Sequence, residues 1–158
     1  MSSRTTTHST FHIEHAYPAA PAKVFAAFAD AGVKRRWFAE SEGFIVDAFE
    51  MDFAIGGEEH ARFRFAPGSP LPAGTTCENH TRYFDIVPDR RIVIAYSMTV
   101  GGSRISASLA TFEFLEVKAG TRLFFTEQAA FFENADGPEL REKGWRDLLD
   151  RLATEIGG

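Results

Sequence analysis

The sequence predicts an α+β protein: a seven-stranded antiparallel sheet, two short helices after the first strand, and a long C-terminal helix. Three observations predict it. From Phe44 to Phe132 no helical period is visible, and apolar residues alternate or run in short stretches between turn signals. Those stretches are joined mostly by short turns, which makes hairpins and hence an antiparallel sheet. From Pro138 to Ile156 the period changes, with i, i+4 charge pairs on one side and leucines on the other.

The elements follow in order. "FHIEHAY" sets Phe11, Ile13 and Tyr17 against polar neighbours and reads as a half-buried strand. In the following stretch Pro21 suits a first helical turn, and Val24, Phe25 and Phe28 share a face. Asp30 can cap a second short helix in which Val33 and Trp37 stand at i, i+4. "FIVDAFEMDFAI" places Phe49, Met51, Phe53 and Ile55 on one face and breaks at Gly56–Gly57. "EEHARFRFA" continues as a strand, and "PGSPLPAG" is a turn-forming loop. "TTCENHTRYFDIV" and "RIVIAYSMTV" are strands joined through Pro88–Asp89. "GGS" leads into "RISASLATFEFLEV", and "KAG" into "TRLFFTEQAAFF". The last helix has Asp136 placed as N-cap with Glu139 completing a capping box, and Pro138 in the first turn. Its expected buried stripe is Leu140, Gly144, Leu148 and Leu152, widened by Trp145, Leu149 and Ile156. At 1.5 Å per residue it spans about 28 Å, enough to cross a sheet.

Composition excludes several function classes. The 158 residues suffice for one domain with its own core, and 16 phenylalanines must be buried or line a space. Residues 1–9 are expected to be frayed or disordered and 10–158 to form a single domain. A net charge of −5 is unlike a nucleic-acid footprint. The lone Cys77 excludes an internal disulfide and fits a reducing compartment. No apolar leader or membrane-length apolar run is present, so a cytoplasmic location is expected. There is no phosphate loop, dinucleotide fingerprint or nucleophile elbow, so no cofactor is expected.

"YPAAPAKVFAAFAD" with "RRWF", then "MDFAIGG", "DIVPDRRIVIAYSM", "GTRLFFTEQAAF" and Gly144–Trp145 together resemble the START-like, helix-grip superfamily, also called SRPBCC. Within it the closest likeness is to the activator of heat-shock protein 90 ATPase homologue type. The motifs span nearly the whole chain, making 10–158 a START-like domain. The resemblance implies a curved sheet gripping the long helix, with a cavity between them. It brings no shared catalytic signature. A residue without a side chain at Gly144 would then leave space for a ligand or relieve a clash with a strand, and Trp145 would close part of the gap.

Stripe and alternation parity direct Trp37, Phe53, Tyr96, Met98, Phe125 and Trp145 between sheet and helix. With Glu127 and Gly144 they are the expected ligand-binding residues. Glu127 follows Leu123 and Phe125 on one face. It is the candidate acid or base, with Tyr96 orienting a substrate and Arg104 opposing the effect of burial. The preferred reading of Glu127 is a carboxylate paired with an arginine or tyrosine at the cavity rim.

A hairpin centred near Pro70 sets Glu58 opposite Arg82, Arg62 opposite Glu78 and His60 opposite His80. This cluster admits a divalent-metal reading. A solvated ladder on the outer sheet face is preferred and no metal is expected, because HExxH and CxxC spacings are absent. The outward course of His80 and Arg82 requires a β-bulge at Phe84–Asp85; without it both would line the cavity. His15 reads as a core or edge histidine, Ser106 and Ser108 lack triad companions, and "RTT" and "KRR" read as solvated charges.

The function expected is binding of a small, largely hydrophobic ligand, with a homodimer left open. The other readings are a co-chaperone contact module and a cyclase- or dehydratase-type enzyme. The first ranks low because the chain lacks the amino-terminal domain of the eukaryotic activators. The second rests on fold analogy.

Overall fold

The structure, a computed structural model, describes residues 5–157. In chain order it contains β1 (Thr7–Tyr17), α1 (Pro21–Ala29), α2 (Ala31–Lys34) and a π-helical turn (Arg35–Ala39). There follow β2 (Phe44–Met51), β3 (Glu58–Phe65), β4 (Thr76–Val87), β5 (Arg91–Val100), β6 (Ser103–Val117), β7 (Gly120–Phe131) and α3 (Pro138–Gly157). The strands form a single curved antiparallel sheet in the order β1-β7-β6-β5-β4-β3-β2. Every sequential pair from β2 to β7 is a hairpin neighbour, and β1 closes the far edge against β7. Among the described residues no helix is long and apolar enough to cross a membrane.

One expectation about the start is revised. Thr7, His8 and Ser9, placed in a frayed terminus, pair with Phe131, Ala130 and Ala129. Arg4 of "RTT" lies outside the described residues.

The register between β3 and β4 is the one expected, with Glu58 opposite Arg82, His60 opposite His80 and Arg62 opposite Glu78. The bulge is present as well. Tyr83 pairs with Ile94 and Asp85 with Val93, leaving Phe84 as the extra residue. Tyr83 is therefore buried and Ile86 packs on the core, while His80 and Arg82 face outward. Ile55 does not continue the inward face of β2; it is exposed in the turn before Gly57.

The concave face of the sheet is covered by α1, the π-helical turn and α3. Phe28 packs edge-on to Trp37 and Phe114 at ring distances of 5.0 and 5.3 Å, and Phe125 lies 4.6 Å from Trp145. Such pairs add about 0.5–1.5 kcal/mol each beyond area burial. Asp30 caps α2 through the Val33 amide at 3.0 Å, as expected. The second helix then widens: Glu40 N–H donates to Arg35 O at 2.9 Å, five residues back.

The long helix differs from expectation in its start and its rotation. Gly137 O accepts the first helical bond from Arg141 N–H at 3.1 Å, so Gly137 is the cap residue, and Asp136 turns instead to the Arg141 side chain. The buried stripe is Arg141, Trp145, Leu149, Leu152 and Ile156. Leu140 and Gly144, placed on that stripe by the sequence, are exposed, and Leu148 is half-buried. An arginine takes the position that pattern reasoning gives to a leucine.

Gly120 opens β7 at φ 141°, and a Cβ there would meet the carbonyl of Tyr17 and the backbone of Ala19. Gly120→Ala is expected to destabilise the protein by roughly 2 kcal/mol or more, since backbone atoms on two sides must move. Gly144→Ala, where nothing lies within 4 Å of the new Cβ, is expected to gain up to about 1 kcal/mol. Urea denaturation of both variants checks the contrast.

Candidate functional site

A cavity of about 1080 Å³ opens between the α3 side and the β3–β4–β5 part of the sheet. Strand alternation builds one wall: Phe63 from β3, Cys77 and Asn79 from β4, and Tyr96 and Met98 from β5. The other wall comes from Phe38 of the π-helical turn and from Leu140, Gly144 and Leu148 on α3. The rotation of α3 creates this space. With Arg141 and Trp145 turned toward the sheet, Gly144 faces the opening, where its missing side chain leaves room.

Of the eight residues expected to contact a ligand, Tyr96, Met98, Gly144 and Trp145 line this cavity. The other four lie behind its walls. Trp37 is buried in the core with its indole N–H donating to Ala27 O at 2.9 Å. Phe53 sits edge-on to Phe25 and Tyr83. Phe125 is covered by Trp145, and Glu127 is fully buried, not at the rim.

Glu127 is the centre of a polar network. One carboxylate oxygen accepts from Tyr96 O–H at 2.6 Å and Trp145 N–H at 2.9 Å; the other accepts from Ser108 and Arg141, each at 3.2 Å. Arg141, not Arg104, is the opposing cation, and Arg104 is exposed on the outer face. All five N–H groups of Arg141 are used: Nε and Nη2 hold Asp136, Nη2 also reaches Ser106, and Nη1 reaches Tyr96 and Glu127. Ser106 and Ser108 are thus hydrogen-bond partners of this network.

Burial raises the Glu127 carboxyl above its ordinary value, against the lowering effects of Tyr96, Arg141, Ser108 and Trp145. Burial also raises Tyr96, and the Glu127 charge adds to that. Arg141 is disfavoured by its own burial but held charged by Tyr96, Asp136 and Glu127. Cys77, on the cavity wall, is pushed up to about 11 by burial, so its thiol stays protonated and unreactive at neutral pH.

A second buried ion pair escaped sequence reasoning. Lys34 of "KRR", expected in solvent, is buried and holds Glu59 at 2.6 Å, and Tyr83 O–H donates to the same Glu59 oxygen. Lys34 also stands 4.9 Å above the Phe38 ring. The available signal was the inward parity of Glu59 with Ala61 and Phe63, which demanded a cation.

On the outer face, candidate ligand atoms of His60, Glu78 and His80 lie within 4.8 Å of one another. The two rings stack at 4.4 Å, and Arg62 holds a Glu78 oxygen at 2.9 Å. This ladder lies across the sheet from the cavity. His15, half-buried at the β1 edge, stacks on Tyr17 and reaches Asp150 at 2.9 Å.

The family model "Activator of Hsp90 ATPase homolog 1-like protein" matches residues 18–157. An uncharacterized protein from Rhizobium leguminosarum superposes with TM-score 0.89 at 33% identity, over 99% of each chain. The Mll3558 protein from Rhizobium loti gives 0.85 at 43% identity, over 96% of this chain and 99% of its own. An AHSA1-like protein from Aeromonas hydrophila gives 0.69 at 17% identity, over 94% of this chain and 92% of its own, a likeness of fold alone. No curated protein matches the chain.

The raised Glu127 pKa sets a sign for pH dependence. Folded protein holds that proton at pH values where the unfolded chain, near 4.5, has lost it. Glu127's contribution to stability is therefore full below 4.5 and is lost as pH rises through the folded pKa, by about 1.4 kcal/mol for each tenfold gain in proton affinity. Measured by urea denaturation from pH 4.5 to neutrality, the stability of wild type relative to Glu127→Gln is expected to fall. A rise would mean that the four donors outweigh burial.

Proposed function

We propose, from the premise that the chain belongs to the activator of Hsp90 ATPase homolog 1-like family within the START-like helix-grip superfamily, that it binds a small, largely hydrophobic molecule in the cavity beside α3. The observation that carries this reading is the cavity itself. About 1080 Å³, with a mainly apolar surface built from aromatic and aliphatic side chains and charged groups among its lining, has the size and character of a ligand pocket. Tyr96, Met98, Gly144 and Trp145 are the proposed contacts from the original set, and Phe38, Phe63 and Leu148 join them.

The bonding of Glu127 favours binding over proton transfer. Both of its oxygens are occupied by protein donors, and the Tyr96 hydroxyl already donates to it. A base in that position must first surrender its partners before it can take a substrate proton. The unpaired Cys77 supports the cytoplasmic setting that belongs to this reading.

Native mass spectrometry of the purified protein is expected to show a population carrying a small apolar molecule. Gly144→Leu, whose side chain enters the open space, is expected to lose that population while unfolding within about 1 kcal/mol of wild type. Bare protein mass in wild type and variant alike would contradict the reading. A large loss of stability would instead mean that Gly144 serves backbone packing.

A further inference from the structure

The buried polar groups around the cavity divide, among the described residues, into those the protein satisfies and one that it does not. Arg141 has no N–H left to give, and its charge is answered by Glu127 and Asp136. Lys34 is neutralised by Glu59 and also reaches the Tyr83 hydroxyl. The third cation on the wall, Arg151, is half-buried, donates to the Arg36 carbonyl and has no carboxylate partner among the described residues. Five carboxylates against three cations line the space, so an entering anion meets net negative charge, and two of the three cations are held in buried pairs that it would have to break.

Asn79 is the exception. It points inward from β4, between Ala61 of β3 and Met98 of β5, and only 9% of its surface is exposed. Neither neighbour can hydrogen-bond it strongly, and Asn79 Oδ1 has no partner among the described residues. A buried amide without partners costs about 1–3 kcal/mol, which a well-packed wall avoids by placing a leucine or valine there. Its uncharged amide offers an acceptor and two donors side by side on an otherwise apolar strand.

We propose that the ligand presents to Asn79 an uncharged group that both donates and accepts hydrogen bonds, a primary amide or an alcohol, with its hydrocarbon part against the apolar walls. This rests on the binding reading above and narrows it: a neutral head is preferred to a carboxylate at Asn79. Selectivity arises because a neutral head satisfies Asn79 without disturbing either ion pair, whereas a carboxylate at the same place adds a buried charge beside Ala61 and Met98, neither of which can answer it.

Octanamide and octanoate, matched in chain length and opposite in this respect, are the probes. Titration of full-length protein at neutral pH, followed by calorimetry or Trp145 fluorescence, is expected to give octanamide at least a tenfold advantage, about 1.4 kcal/mol. Asn79→Leu is expected to remove most of that advantage by weakening octanamide, while unfolding at the same or a higher temperature than wild type. Equal or tighter binding of octanoate, or octanamide binding unchanged in Asn79→Leu, overturns the assignment while leaving the binding reading standing. A marked drop in the unfolding temperature of unliganded Asn79→Leu also overturns it, because Asn79 would then be a structural residue. Binding of neither probe brings down both.

Discussion

A guanidinium held between a helix and a sheet must have every N–H answered, and the position of Arg141 in this protein follows from that requirement. Its five donors reach Asp136 before the helix, Ser106 on β6, Tyr96 on β5 and Glu127 on β7. Satisfying them locks the rotation of α3 about its own axis. Trp145, one turn later, is carried inward onto Phe125 and Glu127, and Leu149, Leu152 and Ile156 continue the seam. Burying those apolar side chains contributes about 1.5–3 kcal/mol each, so the hydrophobic seam supplies the adhesion and the arginine supplies the angle.

The cavity is a consequence of that angle. Turning Arg141 and Trp145 toward the sheet swings Leu140, Gly144 and Leu148 toward the β3–β4 side, where Gly144 leaves its own volume empty. The π-helical turn acts in the same direction, sending Trp37 into the core and Phe38 onto the cavity wall. The two ion clusters, Arg141 with its carboxylates and Lys34 with Glu59, flank a mainly apolar interior and hold its buried charges in pairs. The polar chemistry is largely spent on architecture, and Asn79 stands apart from it.

The sheet was legible because its information is local. Opposite charges at Glu58–Arg82 and Arg62–Glu78 set the register, and the clash of two alternation patterns located the bulge at Phe84. Inward parity also put Tyr96, Met98 and Trp145 correctly between sheet and helix. The helix rotation was not legible. A leucine stripe through Leu140 and Leu148 competes on equal terms with one through Arg141 and Trp145 until Glu127 is placed opposite, and strand and helix meet only in three dimensions. Lys34 failed for the same reason: a lysine in a basic run reads as solvated unless a buried Glu59 is known to need it. Asn79 carried no signal, since an inward asparagine on a strand looks like an ordinary polar interruption.

If the Arg141–Glu127 pair sets the helix angle, its two members must act as one unit. A double-mutant cycle on unfolding free energy with Arg141→Met and Glu127→Leu measures this directly. Arg141→Met leaves Glu127 buried without its cation and is predicted to destabilise by about 3–5 kcal/mol. Glu127→Leu leaves Arg141 held by Asp136 but strips buried donors of their acceptor, and is predicted to cost about 1–3 kcal/mol. The double variant is predicted to recover much of that loss, giving a coupling of about 2 kcal/mol or more. Single effects that add to within about 0.5 kcal/mol would mean that the two charges do not depend on each other, contradicting the account.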